Sequence, residues 1–113
     1  MTSETFAVMD LVLEPEDLDP AQIVEGNPEI SGLVLFEDGP NIRGVWQCTP
    51  GTVTDIEQDE MFIIVAGRAT VEVEGGQTLY LQPGVAGILE RGARTVWTVH
   101  ETLRKVYQIT LPE

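Results

Sequence analysis

Two charged side chains of opposite sign, Glu60 and Lys105, occupy positions in the sequence where they could do chemistry. Glu60 opens the apolar run Met61–Ala66, and Lys105 stands among apolar residues near the end of the chain. Burial of a carboxylate or an ammonium lowers the stability of the folded protein by roughly several kcal/mol unless the two groups pair. We therefore expect Glu60 and Lys105 to lie close together or to share a ligand inside the protein.

Three further side chains join this pair when alternate positions along a strand are followed. Successive residues of a strand point to opposite faces, so Thr95 and Trp97 share one face, as do Lys105 and Tyr107. Trp97 and Tyr107 could be core aromatics, or they could stack on a ligand and donate a hydrogen bond to it. The predicted ligand-binding set is Glu60, Thr95, Trp97, Lys105 and Tyr107.

Glu60 and Lys105 are also the candidates for catalysis. For metal-free general acid/base chemistry, Glu60 would need a pKa raised by burial, or Lys105 a lowered pKa. Tyr107 could assist as a third polar group. Two other reactive residue types have simpler interpretations, because Cys48 lies in an apolar stretch and His100 stands five positions from Thr95, on the opposite face. We expect a buried, inert thiol and a surface imidazole.

Composition limits the classes of function. The chain has 113 residues, the size of one domain, and a net charge of −13, which argues against nucleic-acid binding. No segment approaches the roughly 20 apolar residues of a membrane helix, and the N-terminus does not resemble a signal peptide. One cysteine allows no internal disulfide. These features predict a cytoplasmic protein that does not bind membranes.

The elements that must position these residues are almost all strands. Short runs of β-branched and aromatic residues alternate with polar ones and are separated by glycine and proline turns, which is typical of an all-β sandwich or barrel. A turn of helix could begin near Pro15. The predicted strands are Phe6–Val12, Ile30–Phe36, Ile42–Cys48, Gly51–Ile56, Met61–Val65, Ala69–Val73, Thr78–Leu81, Ala86–Leu89, Thr95–Val99 and Leu103–Leu111. We assign residues 1–23 to an N-terminal strand and turn region and residues 24–113 to the barrel.

Four stretches carry a family resemblance: Glu60 to Gly67, Gly84 to Gly92, Gly44 to Gly51, and Trp97 to Tyr107. Their spacing and order resemble the motifs of cupins, in particular the single-domain subfamily related to ureidoglycine aminohydrolase and ethanolamine-utilisation protein Q. The likeness runs from about Val24 to Leu111. It implies an all-β, single-domain cupin, a double-stranded β-helix or jelly-roll barrel, with a cavity lined by alternate residues of several strands.

The resemblance also implies where a cupin metal would bind, and this sequence departs from that pattern. Metal-bearing cupins have a His-x-His pair just before the motif Glu, and a third His after the second motif. Those positions fall near Thr54 and Ile56 (or Val53 and Asp55) and at Thr95, so the motif carboxylate Glu60 alone remains. A first-row metal needs three or four converging donors. We expect no metal at the usual site and no other cofactor.

The alternation of side chains along a strand also predicts which face each residue just before Glu60 occupies. Asp55 and Glu57 share one face of the strand. Ile56, Gln58 and Glu60 are predicted to lie on the other face.

Three functions remain open. The barrel could bind a small polar metabolite, such as a carboxylate or an amide, with Lys105 meeting negative charge and Trp97 giving apolar contact. It could be a metal-free enzyme, C–N hydrolase-like or acting by general acid/base chemistry through Glu60 and Lys105. It could also be a structural or interaction subunit. A C2 homodimer is expected, with the Phe6–Val12 strand and the leucines Leu11, Leu13 and Leu18 at the interface.

Overall fold

A computed structural model describes residues 3–113, and these residues form nine strands and one short 3-10 helix, Pro20–Gln22. The all-β class predicted from the sequence is confirmed. No helix among the described residues is long and apolar enough to cross a membrane. The strands are β1 Glu14–Glu16, β2 Ile23–Gly26, β3 Ile30–Asp38, β4 Asn41–Cys48, β5 Gly51–Ile56, β6 Asp59–Val73, β7 Thr78–Leu81, β8 Ala86–Leu89 and β9 Arg94–Thr110.

The two longest strands, β6 and β9, pair antiparallel along their whole length and form the spine of the barrel. The other edge of β9 pairs with β5 over its first half and with β4 over its second half. The other edge of β6 pairs with β8 and then with β7. Buried residues of β4 through β9 meet in one hydrophobic core, so the sheet curls around that core.

Two pairs of strands predicted as separate are continuous in the structure. Met61–Val65 and Ala69–Val73 join into β6, and Thr95–Val99 and Leu103–Leu111 join into β9. The register between β6 and β9 shifts around Gly67, so the sequence signals of a turn there mark a bulge within a bent strand pair.

The prediction of a strand at Phe6–Val12 is wrong. This segment is irregular, with a turn at residues 8–10. The Arg104 guanidinium donates hydrogen bonds to the carbonyl oxygens of Val8 and Leu11, at 2.8 and 3.2 Å. A side chain of β9 therefore holds the segment against the barrel without a strand ladder.

The turn of helix predicted near Pro15 is also wrong. Residues 14–16 form β1, which pairs antiparallel with β3. The helical turn begins at Pro20, five residues after Pro15. The Asp19 side chain accepts a hydrogen bond from the Ala21 backbone N–H and caps this turn.

Strand alternation places the core as predicted. Glu60, Phe62 and Ile64 point inward from β6, while Met61 and Ile63 are exposed. The inward face of β9 carries Thr95, Trp97, Val99, Leu103 and Lys105, all of which are buried.

The two reactive side chains outside the predicted site also lie where the sequence placed them. Cys48 is buried, and desolvation raises the pKa of its thiol to about 11, so the thiol stays protonated at neutral pH. His100 is on the surface, with its Nε2 atom 3.0 Å from the Thr70 hydroxyl.

Gly67, the glycine that closes the first motif, has φ of 86° and faces the backbone of Thr102. An added Cβ would overlap the Thr102 carbonyl oxygen. We expect Gly67→Ala to lower the free energy of unfolding by about 2–4 kcal/mol, from backbone strain and overlap together. Urea denaturation of both proteins measures this.

Gly75 provides the matched control for this substitution. It also has positive φ, 73°, but an added Cβ there meets no atom within 4 Å. Gly75→Ala should therefore show the backbone strain alone, about 1 kcal/mol. Equal losses in the two variants would contradict the role given to the Thr102 contact.

Candidate functional site

A cavity of about 370 Å³ opens into the barrel beside the bend between β5 and β6. Its walls come from the ends of β1 and β3, from β4, β5, β6 and β9, from the segment between β1 and β2, and from the bend itself. The polar lining side chains are Glu16, Asp17, Gln22, Thr54, Asp55, Glu57, Gln58, Glu60 and Lys105, and the apolar and aromatic ones are Leu18, Ile30, Trp46, Val53, Ile56, Trp97, Tyr107 and Ile109.

The inner end of the cavity holds an ion pair between Glu60 and Lys105. The Lys105 ammonium donates a hydrogen bond to Glu60 Oε2 at 2.6 Å, and the two side chains are 7% and 4% exposed for Lys105 and Glu60 respectively. Lys105 is the sole lysine in the sequence. The predicted proximity of Glu60 and Lys105 is confirmed, so the charge of this ammonium is balanced within the protein.

Three aromatic rings complete the surroundings of this ammonium. Lys105 Nζ lies 4.7 Å from the ring centroids of both Trp46 and Trp97 and 5.1 Å from that of Phe62. Aromatic faces attract a cation through their quadrupole, most strongly where water is excluded. The rings and the Glu60 carboxylate together replace the water that the ammonium lost on burial.

Glu57 is a second buried carboxylate, which the sequence did not reveal as part of the site. It is 5% exposed, and its Oε2 atom accepts hydrogen bonds from the Thr95 hydroxyl at 2.7 Å and the Trp97 indole N–H at 3.0 Å. Two residues of the predicted set thus meet at Glu57. Trp97 forms part of the cavity wall. Thr95 is not among the residues that line the cavity.

The prediction that Glu57 and Glu60 face opposite ways is wrong. Alternation holds only while the strand continues, and β5 ends at Ile56 while β6 begins at Asp59. Backbone hydrogen bonds of Glu57 with Gly92 and Ala93, both 2.9 Å, fix the bend between them. The bend resets the parity, and no sequence signal in this stretch marks it.

Partial desolvation by surrounding protein atoms shifts the pKa of three groups around the cavity, including Asp55, part of whose surface is exposed to solvent. Desolvation, reinforced by the nearby negative charge of Glu57, raises the pKa of Asp55 to about 6. Desolvation also raises the pKa of Glu60, although the Lys105 ammonium opposes the rise. Tyr107 is half-buried, and desolvation, with Glu16 next, raises the pKa of its phenol. Asp55 therefore titrates close to neutral pH.

The residues at the usual cupin metal positions do not fit a metal. Val53 is in the core, Ile56 is exposed, and the Thr95 hydroxyl is hydrogen-bonded to Glu57. Within residues 3–113, no three His, Cys, Asp or Glu side chains are grouped as a metal site requires. The Glu60 carboxylate is the one ligand of the metal-binding motif that this chain keeps, and it is paired with the Lys105 ammonium.

Solved structures of other proteins share this fold. A protein of unknown function from Pseudomonas syringae pv. tomato is 27% identical, with a TM-score of 0.79 over 89% of this chain and 45% of that chain. This chain therefore spans less than half the length of that protein. The EutQ protein of Clostridium difficile is 15% identical, with a TM-score of 0.68 over 83% of this chain and 75% of that chain.

A third similar structure matches end to end. It is a protein of unknown function from Rhizobium leguminosarum, 21% identical, with a TM-score of 0.68 over 100% of both chains. A comparison with functionally curated proteins gives no match. Residues 35–107 match the model of the EutQ-like cupin domain, which confirms the predicted cupin jelly roll. The chain belongs to the family of EutQ-like cupin domains.

Proposed function

We propose that this protein binds a small polar organic molecule in the cavity above the Glu60–Lys105 pair. The observation that supports the proposal is the cavity itself, about 370 Å³ of space that side chains leave unfilled. Small-molecule pockets in proteins are typically about 300–1,000 Å³, mainly apolar, with a few convergent polar groups. This cavity has aromatic walls at Trp46, Trp97 and Tyr107 and polar groups at its inner end.

The experiment is a thermal-shift screen with small cationic, neutral and anionic metabolites, followed by calorimetry of those that raise the melting temperature. A ligand that binds the folded state stabilises it by mass action. Ile56→Trp should abolish the shifts, because Ile56 is an exposed residue on the cavity wall and the larger ring would fill the opening.

Ile88→Trp is the matched control. Ile88 is equally an exposed isoleucine, but it lies outside the cavity on β8. Shifts that survive in Ile88→Trp and vanish in Ile56→Trp support the proposal. Shifts that survive in both variants, or no shift with any compound, would contradict it.

A second candidate function, general acid/base catalysis, is favoured by the pKa of Asp55. A group with a pKa of about 6 beside a cavity is suited to proton transfer near neutral pH. Asp55 is better placed for this role than the predicted catalytic pair, because Glu60 and Lys105 bind each other. The resemblance to ureidoglycine aminohydrolase expected from the sequence motifs stays a prediction, and it makes C–N bond hydrolysis the first reaction to assay. An Asp55→Asn protein that binds a ligand but no longer consumes it would identify such an enzyme.

The homodimer, the structural role and the cytoplasmic location stay predictions. One expected interface residue has another role, since Leu18 packs against the core and lines the cavity. Leu11 and Leu13 are partly buried in the N-terminal segment.

A further inference from the structure

The interior holds two buried carboxylates but one buried ammonium. As whole residues, Glu57 and Glu60 are 5% and 6% exposed, and the ammonium of Lys105 is bound to Glu60. Among the described residues, no lysine, arginine or histidine lies within ion-pair distance of Glu57. Buried charges in proteins are nearly always paired, because removing an isolated charge from water costs roughly several kcal/mol. Glu57 therefore lacks the cation that its burial calls for.

Hydrogen bonding at Glu57 points the same way. Both hydrogen bonds that its carboxylate accepts from described side chains end on Oε2, although each carboxylate oxygen can accept about two. Oε1 of this cavity-lining side chain has no donor among them. The neighbouring Gln58 also lines the cavity, and its Oε1 atom is buried without a hydrogen-bond partner in the described structure. Glu57 Oε1 is therefore the acceptor available to a ligand in the cavity, whereas the Gln58 oxygen is closed to solvent.

The charge of the whole cavity wall agrees with these two side chains. Five carboxylates line it, and the single basic side chain among the lining residues is Lys105, which Glu60 neutralises. The raised pKa of Asp55, to which the charge of Glu57 contributes, is a further sign of crowded negative charge. An anionic ligand would meet repulsion here and would find no free cation.

We propose that the ligand is a small organic ammonium ion, with its nitrogen beside the free Oε1 acceptor of Glu57. This inference rests on the proposed small-molecule binding and specifies the charge of the ligand. It replaces the carboxylate or amide expected from the sequence, because Lys105 is not free to meet negative charge. A metal ion is a poorer occupant, since no group of three ligating side chains exists in residues 3–113, and the aromatic walls suit the hydrocarbon part of an organic cation.

The test uses probes of matched shape and different charge. Butylammonium, whose nitrogen carries three N–H donors, is compared with butan-1-ol and butanoate, which keep the hydrocarbon chain and lack the positive charge. Calorimetry gives the affinities, and NMR follows the Trp97 indole N–H, which donates to Glu57. We expect butylammonium to bind at least about 10-fold more tightly than the other two probes, as a charge-assisted contact allows.

Glu57→Gln tests the site of the charge while keeping an acceptor for Thr95 and Trp97. It should reduce the preference for butylammonium to less than about 3-fold. Glu25→Gln, an exposed change on β2 outside the cavity lining, removes the same charge and should leave the preference unchanged. Circular dichroism checks that both variants are folded.

Each other outcome has a distinct meaning. If butan-1-ol or butanoate binds as tightly as butylammonium, and Ile56→Trp abolishes that binding, the cation inference is wrong while the proposed function stands. If Mg²⁺, Ca²⁺ or Zn²⁺ binds in a Glu57-dependent way and displaces butylammonium, the site is a metal site and the inference is again overturned. If no probe of any charge binds, the inference fails together with the proposed cavity function.

Discussion

Replacing Lys105 with methionine should lower the free energy of unfolding at pH 7 by about 3–5 kcal/mol, the usual effect of leaving one member of a buried ion pair alone. The Glu60 carboxylate would stay 4% exposed and lose its partner at 2.6 Å. Domains of this kind are typically stable by about 5–15 kcal/mol, so the loss is a large fraction of the total. Urea denaturation followed by circular dichroism gives the value.

The double variant Glu60→Leu/Lys105→Met should recover this loss. A buried pair replaced by apolar groups of similar volume is often neutral, or stabilising by about 1–4 kcal/mol. Arg68→Met is the matched control, because Arg68 and Glu101 form an exposed pair at 3.2 Å, and such pairs contribute about 0–1 kcal/mol. A Lys105→Met protein as stable as Arg68→Met would show that burial does not decide the strength of the pair.

The pH dependence of Lys105→Met provides an independent check. Burial raises the pKa of Glu60, and the substitution removes the ammonium that opposes this rise. A carboxyl group whose pKa is higher in the folded state binds its proton more tightly there, so its contribution to stability is present at low pH and is lost as the pH rises through the folded pKa. The deficit of Lys105→Met should therefore be smaller at pH 5 than at pH 7.

Replacing Trp97 with alanine should lower the free energy of unfolding by about 3–5 kcal/mol, as large-to-small substitutions of buried aromatic residues do. Trp97 is 3% exposed, and its ring centroid lies 5.7 Å from that of Trp46 and 6.0 Å from that of Phe62. It also contacts the Lys105 ammonium and donates to Glu57. Urea denaturation measures the loss of these contacts together.

Trp97→Phe separates the hydrogen bond from the packing. Phenylalanine keeps an aromatic ring but has no N–H for Glu57, so Oε2 keeps the hydrogen bond from Thr95 and loses the one from the indole. A hydrogen bond to a charged group contributes about 1.5–3 kcal/mol. Tyr80→Ala removes an aromatic residue that is 74% exposed and should change stability by less than about 0.5 kcal/mol. If Trp97→Phe is as stable as the unchanged protein, the indole contact with Glu57 contributes nothing to folding.

The class of fold, the inward faces of the long strands and the buried ion pair could all be inferred from the order of the residues. Each of these follows from local pattern: side chains alternate with a period of two, and a charge on an apolar face must find a partner. That reasoning placed Phe62 and Trp97 in the core and brought Glu60 to Lys105 from positions 45 residues apart.

The tertiary structure alone decided the rest of the site and the path of the N-terminal segment. Glu57 faces inward because hydrogen bonds to residues 92 and 93, far along the chain, bend the backbone between β5 and β6 and reset the alternation. The residue types of Phe6–Val12 favour a strand, but the segment is irregular, and Arg104 of β9 donates hydrogen bonds to two of its carbonyl oxygens. Local pattern fixes which face a side chain occupies, whereas contacts between distant residues decide where a strand begins and ends, and so which carboxylates share one cavity.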